Sequence, residues 1–245
     1  MQRLFLSLLL SAGGSGSAKD AERPVVPSLP TYEVRRVTDA ITVDGRLKEA
    51  AWQKATPIVL QFPWEKQTGL KQKTTVRLLW DSDYLYVAYQ CEDTDIVAHY
   101  VARDDPTYED DAVEIFVNPR PAVDTYVGLE MNARSVLYDY LYTFPQVLNK
   151  SHDLNHVKLA VQLDGTLNDS SDLDRGWSLE LAIPFDNFAE WMDGRPISAG
   201  TVWMANLNRW DGRAPARRLS VWSDSGLVQP NPHQPKRFGR LMFVR

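Results

Sequence analysis

Apolar and polar residues alternate with a period of two along most of this chain, and that period limits the secondary structure it can form. Residues 75–80 and 84–91 read TVRLLW and YLYVAYQC, and a short Asp-Ser-Asp segment joins them. Successive side chains of a strand point to opposite faces, so the pattern predicts two strands connected as a hairpin.

The same alternation recurs in seven further segments. They are residues 112–117, 126–132, 157–163, 177–183, 202–210, 219–222 and 241–244. Helical signals are few: residues 47–55 contain good helix formers, and Pro184 is suited to open a short helix through Trp191. Many short strands with only short accessory helices predict an all-β protein. We expect an antiparallel β-sandwich of the immunoglobulin-like or jelly-roll-like type.

The N-terminal segment has the composition of a secretory signal peptide. Arg3 precedes a short apolar run at residues 4–10, and small residues at 16–18 suit a cleavage site. We therefore predict a signal peptide at residues 1–18, a Pro-rich linker at 19–31, and one domain at 32–245. A secreted or periplasmic location follows from this reading, and the apolar run is too short to span a bilayer. The alternative is a disordered Gly/Ser tail.

Composition narrows the classes of partner. The net charge of −5 and the pI near 5.4 disfavour nucleic acid, which needs a concentrated basic surface. Eight Trp and ten Tyr exceed what the core of a chain this long needs, and they suit a surface that stacks on flat ligands. The single cysteine, Cys91, excludes an internal disulfide framework and is expected to be buried.

Three predicted strands, 112–117, 126–132 and 202–210, have one fully apolar side and one side with acid, amide and aromatic groups. The residues on the polar side are Glu114, Glu130, Asn132, Asn206, Asn208 and Trp210. If the three strands are neighbours, these side chains converge on one surface. Carboxylates and amides match adjacent hydroxyls, and aromatic rings match the C–H faces of a pyranose, so sugar binding is predicted. The alternative is an ordinary polar sheet face without a ligand.

Five segments, in order, resemble those of the carbohydrate-binding module family 9-like domains. They read ITVDGRLKEAAWQKA (41–55), TVRLLWDSDYLYVAYQCEDTDI (75–96), YEDDAVEIFVNP (108–119), DLDRGWSLELAIPF (172–185) and HQPKRFGRLMF (233–243). The resemblance implies a β-sandwich that binds polysaccharide or oligosaccharide without cleaving it. It suggests a plant-type or algal ligand, a role in polysaccharide catabolism, and a monomer.

The resemblance also implies roles for individual residues. Tyr108 matches a ring that stacks on the sugar, Glu114 the acid that contacts sugar hydroxyls, and Asn132 and Asn208 two amides. The second stacking ring of the family has no counterpart in the loop at 223–239, where no Trp, Tyr or Phe precedes Phe238. The resemblance therefore leaves His233 or Trp210 to take its place.

Other readings of the acidic residues stay open at this stage. Glu92, Asp93 and Asp95, or the acids at 104–111, suit a structural calcium ion, as in similar modules. Glu114 and Glu130 would also satisfy the two-carboxyl requirement of a glycoside hydrolase. A protein-interaction module and a haem-binding sandwich are further alternatives, although no motif for covalent haem attachment occurs.

Overall fold

The computed structural model describes residues 28–143 and 147–245. The predicted signal peptide and most of the predicted linker lie outside this part of the chain. The described residues form thirteen strands. They are β1 (Thr31–Arg36), β2 (Ile58–Val59), β3 (Thr74–Trp80), β4 (Tyr84–Glu92), β5 (Ala112–Asn118), β6 (Thr125–Asn132), β7 (Leu137–Thr143), β8 (Val147–Asn149), β9 (Lys158–Asp164), β10 (Gly176–Pro184), β11 (Val202–Asp211), β12 (Arg218–Val221) and β13 (Gly239–Val244).

The strands belong to one mixed sheet with the order β8-β7-β6-β5-β11-β13-β1-β3-β4-β10-β9. β12 pairs with β11, and β2 pairs with β3. The sheet curls, so that the half built around β5, β6 and β11 faces the half built around β3, β4 and β10. The prediction of an all-β sandwich is confirmed. Its antiparallel pairing has one exception, because β1 lies parallel to both of its neighbours, β13 and β3.

One apolar core fills the space between the two halves. The inward residues of β5 are Val113, Ile115 and Val117, and all three are fully buried in this core. The inward residues of β6 also belong to it, as do Trp203, Ala205 and Leu207 of β11, whereas the inward Arg209 at the end of β11 is a buried charge. The opposite side chains of β5, β6 and β11 therefore form a second, outer face.

The helices differ from the sequence prediction in length. The segment at 47–55 forms only a 3-10 helix at Ala50–Lys54, because Leu47 adopts the left-handed conformation with φ 50° and cannot begin an α-helix there. The segment after Pro184 divides into Phe185–Phe188 and Glu190–Met192. Two more 3-10 helices lie at Thr107–Glu109 and Pro235–Arg237. In the part of the chain that the structure describes, no helix has the length and apolar character to cross a membrane.

Candidate binding site

The outer face of β5, β6 and β11 brings predicted site residues into one row. Asn208 of β11 is in register with Glu114 of β5, which is in register with Glu130 of β6. Tyr138 of β7 continues the row beyond Glu130. Directly opposed residues of antiparallel strands have their Cβ atoms about 4.5–5.5 Å apart, so an amide, two carboxyl groups and a phenol are close neighbours.

This row does not lie open to solvent, because loops cover part of the outer face. Together with the strands they line a concave cavity of about 580 Å³ that is partly open to solvent. The lining residues are Tyr108, Glu109, Glu114, Glu130, Tyr138, Tyr140, Tyr142, Leu148, Lys150, Trp210, Arg213, Ala214, Arg217, Pro230, Asn231, Pro232 and His233. Five of the eight predicted sugar-binding residues thus line one cavity: Tyr108, Glu114, Glu130, Trp210 and His233.

Strand β7 supplies one aromatic wall of the cavity. Its sequence LYDYLYT directs Tyr138, Tyr140 and Tyr142 to the outer face, because alternate side chains share a side. The ring of Tyr140 lies against β6 at Gly128, where a Cβ atom would be only 2.3 Å from Cζ of Tyr140. Only glycine at position 128 leaves room for this ring.

Arg217 positions two further aromatic residues. Its guanidinium lies over the ring of Trp210, 5.3 Å from the ring centroid. It also donates hydrogen bonds to the backbone carbonyls of Tyr108, Glu109 and Asp110. Because Arg217 is engaged in this way, it serves to fix Tyr108 and Trp210 on the same side of the cavity. The Tyr108 ring is 36% exposed and lies 5.9 Å from the ring of Tyr138.

His233 closes the cavity near β6 and β7. Its ring stacks on Phe116 at 4.9 Å and on Tyr142 at 5.5 Å, with interplanar angles of 17° and 13°. Its Nδ1 atom and the Tyr126 hydroxyl are hydrogen-bonded at 2.6 Å. Burial lowers the pKa of His233 to about 4, so the ring is neutral at pH 7 and acts as a flat aromatic surface.

The two carboxyl groups on the cavity floor have few partners. Asn208 Nδ2 donates to Glu114 Oε2 at 3.1 Å, and the Tyr140 hydroxyl donates to Glu130 Oε1 at 2.7 Å. Burial raises the pKa of Glu114 to about 7, although hydrogen bonds from Asn208 and Trp210 partly oppose the shift. Burial, followed by the charge of Glu114, raises the pKa of Glu130 well above its ordinary value.

The other predicted amides have structural partners. Asn132 donates to Asp110 Oδ2 at 2.9 Å and to the Tyr100 carbonyl at 3.0 Å. Asn206 exchanges two hydrogen bonds with the backbone of Ser223. Both side chains are on the outer face, as predicted, but neither lines the cavity: each holds a neighbouring loop in place.

Sequence reasoning missed the tyrosines of β7 and the cations of the rim. The alternation in residues 137–143 was a usable signal, since it places three tyrosines on one face. Arg213, Arg217 and Lys150 come from loops, where no periodic pattern reports on orientation.

The predicted calcium ligands do not come together. In the described residues, Asp93 groups instead with Asp111 and Asp211, while Glu92 is exposed and Asp95 accepts a hydrogen bond from Ser170. The reason is strand alternation, which places Asp93 at the end of the core and Glu92 on the opposite side.

The new acidic group already contains a cation. Arg209 is fully buried and donates to Asp93 at 2.9 Å and to Asp211 at 3.2 Å. Arg218 adds a second ion pair with Asp211. We call Asp93, Asp111, Asp211, Arg209 and Arg218 the ionic cluster. The two guanidinium groups of the ionic cluster balance most of the charge of its three carboxyl groups.

The cavity combines flat aromatic surfaces with a floor of two carboxyl groups. Aromatic faces bind the C–H faces of sugar rings, and carboxyl groups bind hydroxyl groups in fixed directions. The described structure therefore defines a β-sandwich with a concave site of the kind that suits a small polar ring.

Comparison with known proteins places this class of fold in a family. The family described as carbohydrate family 9 binding domain-like matches residues 43–245. The chain belongs to this family. The resemblance noted from the sequence is thus confirmed.

Solved structures show the same fold. A Bacteroides uniformis ATCC 8492 protein described as carbohydrate-binding matches with a TM-score of 0.74 and 20% identity, covering 88% of this chain and 100% of that one. A family 9 carbohydrate-binding module from Caldicellulosiruptor kristjanssonii in complex with cellotriose has a TM-score of 0.61 and 15% identity, covering 87% and 93%. One in complex with glucose has a TM-score of 0.57 and 16% identity, covering 88% and 95%. The comparison with curated proteins found no match.

Proposed function

We propose that this chain binds carbohydrate without cleaving it, and that its ligand is a plant-type or algal oligosaccharide or polysaccharide destined for catabolism. The observation that carries the proposal is the single cavity in which Tyr108, Trp210 and His233 meet the buried pair Glu114 and Glu130. Family membership over residues 43–245 supports the same function.

In this proposal, recognition has two parts. The exposed face of Tyr108 stacks on one side of a sugar ring, and Trp210 or His233 contacts another. Each aromatic contact contributes about 0.5–1.5 kcal/mol. Glu114 and Glu130 then select the orientation of hydroxyl groups. With so few contacts, we expect dissociation constants of about micromolar to millimolar.

The test is calorimetric titration with glucose, cellotriose, and xylo-, manno- and uronic-acid oligosaccharides. Saturable heat with one of them would support the proposal. Tyr108→Ala should weaken this binding about tenfold, because it removes one stacking face. Tyr84→Ala is a matched control, since Tyr84 is also a partly exposed tyrosine but does not line the cavity.

The result against the proposal is equally clear. If a folded protein gives no heat with any sugar, or if both tyrosine variants weaken binding equally, the cavity is not the sugar site. Folding of each variant is checked by its thermal unfolding transition.

Hydrolysis is the rival function that one observation favours. A glycosidase requires two neighbouring carboxyl groups, one of which has a raised pKa, and Glu114 and Glu130 are directly opposed carboxyl groups with raised pKa values. Release of reducing ends from the bound oligosaccharide, abolished by Glu114→Gln, would replace the binding proposal with this one. We expect the sugar to be recovered intact.

Export and calcium remain proposals of the same kind. Export rests on residues 1–18 and is tested by sequencing the N-terminus of protein recovered outside the cytoplasm. Structural calcium is tested by the melting temperature, which a bound ion would raise and a chelator would lower. An unchanged melting temperature would contradict it and agree with the internal neutralisation of the ionic cluster.

A further inference from the structure

The two carboxyl groups on the cavity floor differ in the donors they receive. Glu114 accepts a hydrogen bond from Asn208, and Trp210 provides another. Glu130 accepts one from Tyr140 at Oε1, whereas its Oε2 atom is buried and has no partner among the described residues. Both residues are almost fully buried, with 1% and 3% of their surfaces exposed.

This asymmetry decides where a proton resides. An ionised carboxylate can only accept hydrogen bonds, and leaving it buried without donors is costly. In the part of the chain that the structure describes, no cation is within 4.0 Å of either glutamate; the charges of Arg217 and Lys150 act on Glu114 and Glu130 from further away and only partly offset burial. Two opposed charges at this separation disfavour each other strongly, so at least one carboxyl group stays neutral. Glu130 has fewer donors, and it is therefore the neutral member of the pair.

We propose that Glu130 is protonated in the ligand-free site and that its Oε2–H is the hydrogen-bond donor that selects the ligand. The site would then require a sugar that presents an acceptor oxygen at this point, such as a ring, ether, hydroxyl or carboxylate oxygen. This inference rests on the proposed function. The inference goes beyond the proposed function by giving Glu130 the role of hydrogen-bond donor and Glu114 the role of acceptor.

Several other groups face the pair, and they bear on any pH dependence. They are Tyr126 of β6, Tyr138 and Tyr140 of β7, Lys150 after β8, Tyr108 and Glu109 of the Thr107–Glu109 helix, Arg213 and Arg217 after β11, and His233 before β13.

Most of these groups keep one charge state between about pH 5.5 and 8.5. The pKa of His233 is about 4, so its ring stays neutral. Burial raises the pKa of Tyr126, Tyr138 and Tyr140, which stay neutral as well. Arginine side chains stay charged. Asp111, outside the cavity lining, has a pKa of about 7, so a loss of binding across this range reports the carboxyl pair only where Glu130→Gln abolishes that loss.

The experiment is calorimetric titration of the full chain with cellotriose at about pH 5.5, 7 and 8.5. For the wild type, the association constant should fall as pH rises, by up to about tenfold per pH unit once the proton is lost. Glu130→Gln keeps a donor that does not titrate. Its binding at about pH 5.5 should stay within about threefold of the wild type and should change little up to about pH 8.5.

Glu190→Gln is the matched control, because Glu190 is exposed and does not line the cavity. It should follow the wild-type pH profile. Wild-type affinity that rises with pH, or a Glu130→Gln variant that loses binding at every pH, would overturn the inference, since both indicate an ionised acceptor.

A ligand-free measurement separates this inference from the proposed function. Carbon NMR of the glutamate carboxyl groups should show one proton retained by the pair at pH 7. If both groups are ionised there, the inference fails even where sugar binds. If the proton is retained but cellotriose and the other oligosaccharides give no heat at any pH, the proposed function fails and the donor role fails with it.

Discussion

Two buried polar regions lie on opposite sides of β11, and they differ in how their charges are satisfied. On the core side, Arg209 makes hydrogen bonds to Thr74, to the Glu92 carbonyl, and to two members of the ionic cluster, with only its Nε lacking a partner. On the cavity side, the neighbouring Asn208 has an unpartnered Oδ1 in the described structure, as has Glu130 at Oε2.

The difference indicates what each region is for. A buried charge with its partners in place stabilises one arrangement of the chain and has nothing left to offer a ligand. A buried polar group without partners costs free energy in the unbound protein, and it persists where something else supplies the missing hydrogen bond. The contrast supports a structural role for the ionic cluster and agrees with the proposed role of the carboxyl pair in binding.

The largest effect should follow from breaking the ionic cluster. Arg209→Met leaves Asp93 buried without its ion-pair partner and leaves Asp211 paired with Arg218 alone. We expect the free energy of unfolding to fall by about 3–5 kcal/mol, measured by urea denaturation. Arg195→Met is the control, because Arg195 is exposed and its loss should change stability by less than about 0.5 kcal/mol. A cost below about 1 kcal/mol for Arg209→Met would remove the contrast between the two regions.

A smaller effect should appear in the pH dependence of stability, because protonation of the carboxyl pair contributes to the unfolding free energy. The pKa of Glu114 is raised from 4.5 to about 7 in the folded protein. The unfolded chain therefore releases this proton first. The stability that Glu114 contributes is complete below about pH 4.5 and is lost as pH rises through about 7.

The measurement compares the wild type with a Glu114→Gln, Glu130→Gln double variant by urea denaturation across this pH range. The unfolding free energy of the wild type minus that of the double variant should fall with rising pH, by at most about 1.4 kcal/mol per pH unit for each proton. Taking the difference removes the contributions that both proteins share. These are the contribution of His233, whose lowered pKa makes stability rise with pH, and that of Asp111, whose pKa burial raises to about 7. A difference that is flat or that rises with pH would mean that the pair is ionised and satisfied.

The smallest effect concerns the single donor to Glu130. Tyr140→Phe removes that hydrogen bond and keeps the ring, so we expect a loss of about 1 kcal/mol in unfolding free energy. Tyr138→Phe is the control, because Tyr138 contacts Tyr108 and Lys150 through its ring. If the two variants behave alike, the Tyr140 hydroxyl does not support the floor of the cavity.

Most of the fold could be predicted from the sequence because alternation is a local property. The nine strands predicted from it are all present, and their inward side chains form the core. β1 could not be predicted in the same way: it begins at Thr31, inside the Pro-rich segment, and its two parallel pairings with β13 and β3 are long-range. The short strands β2 and β8 carry too few residues for a period to be read.

Strand periodicity could predict the site only where its residues lie on strands, whereas Tyr108 and His233 lie outside strands and were predicted from the family resemblance. Glu114, Glu130 and Asn208 have their orientation fixed by strand periodicity, and the structure brings them into one row. Whether such a residue faces a cavity or a loop depends on what covers the sheet. Strand periodicity also places Asn132 and Asn206 on this face, but their side chains bond to loops and do not line the cavity. The cations of the rim come from irregular segments, whose path is set by packing rather than by period.

The missing side chain at Gly128 has a practical consequence. A single methyl group there would displace the Tyr140 ring from the strand, and the ring borders the cavity. Gly128→Ala would thus narrow the site while every side chain that lines it stays chemically unchanged. The strand beneath the cavity therefore controls its depth. A substitution at Gly128 could narrow the site without altering any group that a sugar would touch.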